Sequence, residues 1–392
     1  MREVYGDLHI HIGRSAGRPV KITASKNLDL RSVIFHDAPR KGLDMVGVVD
    51  AGSTLVAREI EDMLMDAELA EHPKGGFLAA NGVLLVAACE VESREGIHLI
   101  IYLPYMHSIR KFQQFIKSRV SNMTLSTQRV NAGVKELLNL SFLLDGIFCP
   151  AHAFTPHRGA YGMWTDRLAS QLDRDLDQIK ALELGLSADS AMADTIAECR
   201  NFTFLSNSDA HSSGNVGREY NLFRMASVNF EELRYCLENK DGRRVLGNYG
   251  MDPLLGKYHR SYCLDCQTIA GGSAPVLHCN NCGSGKLVLG VYDRIVSIRD
   301  YEEPHQPVGR PEYHYRVPLQ QLPGVGPKTM DKLSRAFRNE INLIEKASIM
   351  DIQKVAGQEI AAMIYQMRSG RLEISPGGGG YYGKVKKNNC LQ

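Results

Sequence analysis

Asp7-Leu8-His9-Ile10-His11-Ile12-Gly13 alternates polar with apolar residues. In a β-strand residues i and i+2 share a face, so His9 and His11 aim at one point while Leu8, Ile10 and Ile12 face the other way. The same design recurs outward from this stretch. Asp50 follows the apolar run Met45–Val49, Glu90 follows Val83–Ala88, and His98 precedes Leu99–Leu103. His152 follows Gly146–Cys149, and the pair Asp209/His211 follows Thr203–Leu205. Burying that many unpaired polar groups for packing alone is costly, whereas imidazoles with carboxylates suit a divalent metal centre with open positions. Ligands at the ends of many strands around one site favour an α/β barrel over a doubly wound sheet.

The wider pattern through residue 249 agrees, with short apolar runs alternating with helix-like stretches. Helices are predicted over 59–71, 110–118, 126–140, 167–176 and 230–239. Ala181–Leu186 reads as a further strand, and Glu183 as a residue supporting the ligands. Beyond Met251-Asp252-Pro253 the texture changes, which predicts three parts: a barrel over 1–250, a cysteine-bearing module over 258–290, and a helical region over 315–392 with a glycine-rich end. A turn-rich stretch is predicted from Asp300 to Pro318.

With 44% hydrophobic and 23% charged residues the composition is that of a globular protein, not of a disordered or fibrous chain. No apolar stretch is long enough for a membrane span and residues 1–20 lack a secretory core, so a cytoplasmic location and no membrane partner are expected. From residue 250 onward there are 18 Lys/Arg against 13 Asp/Glu, although the whole chain carries only +2. A basic end on a slightly acidic body is a feature of proteins with polyanionic partners.

Cys263-Leu264-Asp265-Cys266 and Cys279-Asn280-Asn281-Cys282 form two CxxC pairs, twelve residues apart. Four thiolates satisfy tetrahedral zinc and leave no open position, which predicts a structural zinc ribbon. Cys89, Cys149, Cys199, Cys236 and Cys390 read as reduced, small apolar residues. Further on, Leu322-Pro323-Gly324-Val325-Gly326-Pro327-Lys328-Thr329 precedes an apolar-periodic helix. Such a glycine turn resembles a helix-hairpin-helix element, in which Gly324, Gly326 and the free amides of the next helix take a phosphate, with Lys328 and Lys332 adding charge. The run Gly377–Gly380, with Tyr381, Tyr382 and Lys384, Lys386 and Lys387, reads either as a tail or as a turn close to a phosphate backbone.

At its metal-ligand residues the chain resembles the PHP family of metal-dependent phosphoesterases, over roughly residues 1–250. That resemblance implies a distorted β/α barrel with His9, His11, Glu90 and Asp209 on one ion. It puts Glu90, His98 and His152 on a second, and His211 at a third position. Zn²⁺, Mn²⁺ or Mg²⁺ would serve, with Asp209, Glu90 and His211 as the catalytic set. The chain departs from the family at Val49-Asp50-Ala51-Gly52, where the family pattern ends in Asp-His, and at Ile12-Gly13-Arg14, where Ser or Thr is common. Two or three ions are therefore open, and Asp50 is either a ligand or a support.

Over essentially its whole length the chain resembles the endonuclease Q family of DNA-repair enzymes, in the PHP motifs, the ribbon and the glycine-rich ending together. That implies incision 5′ to a deaminated base (uracil, hypoxanthine or xanthine) or an abasic site, with the lesion extruded into a pocket. Phe154, His157, Tyr161, Met163 and Trp164 are candidates for that pocket, with Ser187 after the strand that holds Glu183. Two other readings stay open: a small-molecule phosphatase of the histidinol-phosphate type, and a non-catalytic DNA-binding protein of PHP type.

Overall fold

The computed structural model describes residues 1–386; Lys387 and Cys390 lie outside the described residues. The main strands are β1 (Arg2–Ile10), β2 (Met45–Val48), β3 (Leu84–Glu92), β4 (His98–Leu103) and β5 (Ile147–Pro150). They are followed by β6 (Ala181–Glu183), β7 (Thr203–Leu205), β8 (Tyr220–Met225), β9 (Arg244–Met251) and β10 (Glu312–Arg316). β1, β2 and β3 run parallel, β4 antiparallel to β3, and β5 antiparallel to β4. On the other side of β1, β8 and β9 continue antiparallel, and β10 joins β9 in parallel. β6 and β7 form a parallel pair. The Ala153 N–H donates to the Glu183 carbonyl at 2.9 Å, and Ile10 bridges to Ala210, so this pair stands between β5 and β1. The result is a mixed α/β sheet with parallel strands that curls back toward its own first strand.

Alternation places the site. Leu84, Val86 and Ala88 of β3 belong to one buried cluster with Ile100 and Tyr102 of β4, Cys149 of β5, Ala181 of β6 and Leu205 of β7. Two residues beyond Ala88 is Glu90, two before Ile100 is His98, and two beyond Ala181 is Glu183. Period two therefore carries the apolar rows directly into the polar cluster.

The opposite faces are covered by α1 (Thr54–Met65), α2 (Met106–Ile116) and α3 (Val134–Leu143), whereas α4 (Phe230–Leu237) packs Phe230, Leu233 and Cys236 into the same cluster as the rows of β3 and β4. Val56, Ile60 and Met63 of α1, and Ile109, Phe112 and Ile116 of α2, recur at helical spacing and are buried. Ser53 and Asn229 cap α1 and α4, each accepting from an N–H of the first turn. The helix predicted from 59 to 71 starts earlier and stops at Met65, and Leu69–Glu71 pairs with Phe77–Ala79 as a hairpin. The one predicted from 126 is helical only from Val134. Upstream, the Ser126 N–H donates to the Val20 carbonyl, and the Val130 N–H donates to the Glu92 carbonyl where a helix would need it on the Ser126 carbonyl. The stretch from Asp300 to Pro318 is not turns alone, because it contains β10.

A short two-stranded ladder, Tyr262–Cys263 with Leu287–Val288, carries the four cysteines. α5 (Val291–Ile298) leads away from it, and α6 (Pro327–Ala336), α7 (Ile349–Ala356) and α8 (Gln358–Arg368) pack around a separate core. That core holds Leu322, Val325, Leu333, Ile352, Ile360 and Ile364 together with Met251 and Leu255. No helix among the described residues is long and apolar enough to cross a membrane.

Candidate metal centre

His9 reaches the centre from β1, His11 from just past its end, Glu90 from β3 and Asp209 from the segment after β7. The His9 and His11 Nε2 atoms are 3.3 Å apart. His9 Nε2 is 3.5 Å from Glu90 Oε1 and 3.4 Å from Asp209 Oδ1, and His11 Nε2 is 3.2 Å from Glu90 Oε2 and 3.6 Å from Asp209 Oδ1. Ligands about 2.05 Å from a tetrahedral zinc are about 3.3 Å from one another, so these separations are those of a coordination shell. The far side of each ring agrees. His9 Nδ1 lies 3.0 Å from Glu183 Oε2 and His11 Nδ1 3.0 Å from Asp50 Oδ1. Carboxylates only accept, so each Nδ1 carries the proton and each Nε2 turns a lone pair inward, as in a carboxylate–histidine–metal arrangement.

A second set shares Glu90. His98 Nδ1 is 3.0 Å from Glu90 Oε1 and 3.3 Å from His152 Nε2, which is itself 3.7 Å from Glu90 Oε1. One carboxylate thus touches both sets, the layout of a paired-ion site. His211 approaches the other flank, its Nδ1 3.7 Å from Asp209 Oδ1, and groups with His11 and Asp209. Several His/Asp/Glu sets able to hold divalent ions therefore meet in one groove of about 560 Å³.

Charge in this pocket is strongly unbalanced. Burial lowers His9, but Glu183, Asp209 and Glu90 outweigh it and raise the ring to about 10. Burial likewise opposes ionisation of Asp209 and Glu90, yet His9 and His11 hold Asp209 low, and His98, Lys21 and His11 hold Glu90 low. Burial, helped by His11, depresses His211 to about 4, so it offers a lone pair at neutral pH. A field that draws a proton so firmly onto His9 draws a divalent ion there in competition with it.

Two ligands sit on strained backbone. His152 (φ +30) and Asp209 (φ +44) occupy the left-handed region although neither is glycine. The His152 N–H donates to Glu183 Oε2 at 2.8 Å, while the His11 N–H donates to the carbonyl of Ala210 at 2.9 Å. Glu183 thus serves His9, His152 and also Asn207, whose Nδ2 donates to it at 3.0 Å. Asp7 lies just outside, burial raising it to about 6 while it accepts from the Ser208 and Gly217 N–H groups.

Asp50 joins none of the metal sets. Its oxygens take the His11 ring and the Ile12 N–H (2.6 Å), so it supports a ligand and is not one. Phe154 and Tyr161, expected to face substrate, are fully buried and stacked at 5.2 Å, with the Tyr161 hydroxyl donating to Glu198. Ser187 is buried against Gly256, where an added Cβ would stand 2.0 Å from its Oγ. Those three are packing residues. His157 and Met163 are exposed and Trp164 is half-buried. Gly324, Gly326, Lys328 and Lys332 are exposed where α6 begins.

Two parts of the groove escaped the sequence reading. Leu125–Gln128 line it as a loop where a helix is predicted, and Lys21 enters it from the loop after β1. A lone lysine between turns has no periodicity to mark it.

The four cysteines also converge, Cys263 and Cys282 with sulfurs 3.6 Å apart and Cys266 and Cys279 3.5 Å apart. Tetrahedral zinc at 2.3 Å needs sulfurs about 3.8 Å apart, so the cluster fits a closed structural site. Thr268, 3.1 Å from Cys266, and Asn281 pull that thiol down to about 6.

A family model described as PHP-associated matches residues 189–238. The uncharacterised protein YqxK of Bacillus subtilis is 38% identical over 98% of this chain and 100% of its own length. The crystal structure of the lesion-specific endonuclease PfuEndoQ from Pyrococcus furiosus is 32% identical, with a TM-score of 0.85 over 98% of this chain and 95% of that one. A complex of Endonuclease Q with a 27-mer duplex, an abasic lesion at its active site, is 33% identical, with a TM-score of 0.86 over 99% and 97%.

Proposed function

The chain belongs to the endonuclease Q family, and on that premise we propose that it is a metal-dependent DNA-repair endonuclease. It hydrolyses the phosphodiester bond 5′ to a deaminated base or an abasic site. The observation that carries this reading is the shared-carboxylate cluster of His9, His11, Glu90, His98, His152 and Asp209. It sits in a chain alike from end to end to an enzyme held on lesion-bearing DNA. A small-molecule phosphatase would have no use for the cysteine module and the basic helices that the likeness also covers.

The curled sheet is then a distorted PHP barrel over 1–250, the cysteine module over 258–290 a zinc ribbon, and 315–392 a DNA-binding region of helix-hairpin-helix type. Divalent ions (Zn²⁺, Mn²⁺ or Mg²⁺) in such a site supply an activated water and Lewis acidity toward a phosphoryl oxygen. The residues divide the remaining work. Glu183 and Asp50 fix the tautomers of His9 and His11. Glu90 and Asp209 draw positive charge under the phosphate, and His211 stands neutral beside the incoming water. Cleavage of the bond to the upstream oxygen leaves a 3′-hydroxyl and a 5′-phosphate. His157 and Trp164, after His152, face the lesion strand. The exposed start of α6, with Gly324, Gly326 and Lys328, takes a backbone phosphate without reading sequence.

The test is one series of labelled duplexes carrying uracil, hypoxanthine, an abasic site or no lesion, each incubated with Mn²⁺, Mg²⁺ and Zn²⁺. Incision 5′ to the lesions alone is expected. Asp209→Asn should still bind the lesion duplex but cut it at least about 100-fold more slowly. Equal cutting of all four duplexes, or turnover of phosphomonoesters with none of DNA, rejects the reading.

A further inference from the structure

Lys21 is the one cation that touches the metal-ligand cluster among the described residues, and nothing in the reaction so far uses it. Its Nζ stands 3.4 Å from Glu90 Oε2, on the carboxylate both ion sets share, and its side chain is only 13% exposed. The loop that carries it is pinned at both ends to ligand segments. The Lys21 N–H donates to the Ile12 carbonyl at 3.3 Å, and the Ser25 N–H donates to the His211 carbonyl at 2.7 Å. Gly13 makes this approach possible, because a Cβ there would stand 2.1 Å from the Ser25 carbonyl oxygen. A flexible surface lysine needs no such anchoring.

The neighbouring set can hold an ion only by taking His11 from the first one. In the set of His11, Asp209 and His211, His11 has nothing left to give. Its Nε2 belongs with His9 and Glu90, and its Nδ1 is held by Asp50. Both Asp50 oxygens are engaged, and the next residue is Ala51, fully buried and without a donor atom. That leaves Asp209 and His211, fewer than the three protein ligands usual in a catalytic site. Phosphoryl transfer nonetheless needs the charge on its equatorial oxygens offset from more than one side.

We propose that Lys21 is a catalytic residue whose ammonium group binds a non-bridging oxygen of the scissile phosphate, supplying as a fixed charge what a third ion would supply. The proposal rests on the endonuclease reading above. Two ions and one lysine then surround the phosphate, and the lysine transfers no proton in the step.

The test uses the full chain as wild type, Lys21→Met and Lys21→Arg. Ions per chain are counted by mass spectrometry, and cleavage is followed on an abasic-site duplex. A third readout is affinity for that duplex with either a phosphate or an uncharged methylphosphonate at the scissile linkage, measured in the Asp209→Asn background. Lys21→Met should keep the wild-type number of ions and lose about 100-fold or more in cleavage rate, and Lys21→Arg should recover part of it. The affinity difference between phosphate and methylphosphonate should shrink when Lys21 is absent. An additional ion in Lys21→Met with cleavage retained would mean that the lysine only blocks an ion position. Fewer ions would mean that it only props Glu90. Either result, or an unchanged methylphosphonate difference, overturns the proposal. Wild-type protein that leaves the abasic duplex intact would instead overturn the endonuclease reading.

Discussion

Glu183 shows how much of the centre is set by residues that touch no ion. Buried at the end of β6, it faces the His9 ring, the His152 N–H and the Asn207 amide at once. Removing its charge while keeping its shape should loosen the orientation of two ligands together. Glu183→Gln is expected to weaken binding of divalent ions at the His/Asp/Glu cluster by about 10–100-fold and leave a metal held by the four cysteines in place, which competition with a graded series of chelators would reveal. Unchanged ion affinity would show that packing alone holds His9 and His152. Glu219 is a different kind of buried carboxylate. Burial raises it from its ordinary 4.5 to about 8, and while one oxygen accepts from the Met251 N–H, the other finds no partner among the described residues. Below pH 4.5 both folded and unfolded chains hold the proton and the group is neutral for stability. Between about 4.5 and 8 only the folded chain holds it, so stability falls by roughly 1.4 kcal/mol per pH unit. Above 8 the penalty is constant. Glu219→Gln should lack this slope, being close to wild type near pH 5 and more heat-stable at pH 8.5; parallel melting-versus-pH curves for the two proteins would refute it.

At the scale of elements, the glycine-rich end is a clasp. The Gly377 N–H donates to the Leu254 carbonyl at 2.7 Å, Gly380 to Lys257 at 3.1 Å and Gly383 to Leu255 at 3.0 Å, while Gly377 accepts from the Arg260 N–H at 3.3 Å. The turn thus ties the segment that follows β9 to the first cysteine knuckle. It leaves Tyr381 75% exposed and sets the Tyr382 hydroxyl on Arg218, which also holds the Ser208 carbonyl beside Asp209. Gly379 has φ +62, and a Cβ there would come within 2.2 Å of the Tyr262 ring. Gly379→Val should therefore open the clasp at a cost of about 1–3 kcal/mol or more. The expected result is new proteolytic cleavage near residues 256–262 with a metal held by the four cysteines retained; a wild-type digestion pattern would mean that the turn is incidental. This contact was invisible in the sequence, where four glycines read equally well as a tail, because its partners lie more than a hundred residues upstream. Ligand-bearing strand ends were legible for the opposite reason. Period two is local, and Glu90 and His98 simply extend the apolar rows of β3 and β4. The stretch 126–133 carries a helix-like pattern, and its groove-lining role depends on distant bonds to Val20 and Glu92 that no local signal marks. β10 does alternate Tyr313 and Tyr315 with Glu312, His314 and Arg316, but a five-residue strand between Pro311 and Pro318 is too short a run to stand out from turns. Phe154 and Tyr161 were misplaced for want of any local sign that the loop after His152 folds back into the core.

On the scale of the whole molecule, the basic C-terminal helices are bolted to the acidic body by charge as well as by the apolar side chains of Met251 and Leu255. Arg316 of β10 forks onto Glu345 with two contacts of 2.6 Å, and the Tyr220 hydroxyl of β8 donates to the same carboxylate at 2.9 Å. Lys41, only 2% exposed, reaches Glu340 at 2.8 Å, and Lys346 lies over the Tyr5 ring. These contacts fix where the exposed start of α6 stands relative to the metal groove. Glu345 is the group on which most of these contacts converge. In Glu345→Ala the Arg316 guanidinium stays buried without a counter-charge, and breaking a buried pair in this way costs about 3–5 kcal/mol. Because the curled sheet and the helices have separate cores, the cost falls on their joint and not on either body. Thermal unfolding should then split, with the helices releasing first and the metal-bearing body melting near the wild-type temperature. Affinity for lesion-bearing duplex should fall with the first step, while the number of ions held by the His/Asp/Glu cluster stays constant through it. A single transition at the wild-type temperature, with unchanged DNA affinity, would show that the apolar core around Met251 and Leu255 holds the two bodies together without the ion pair.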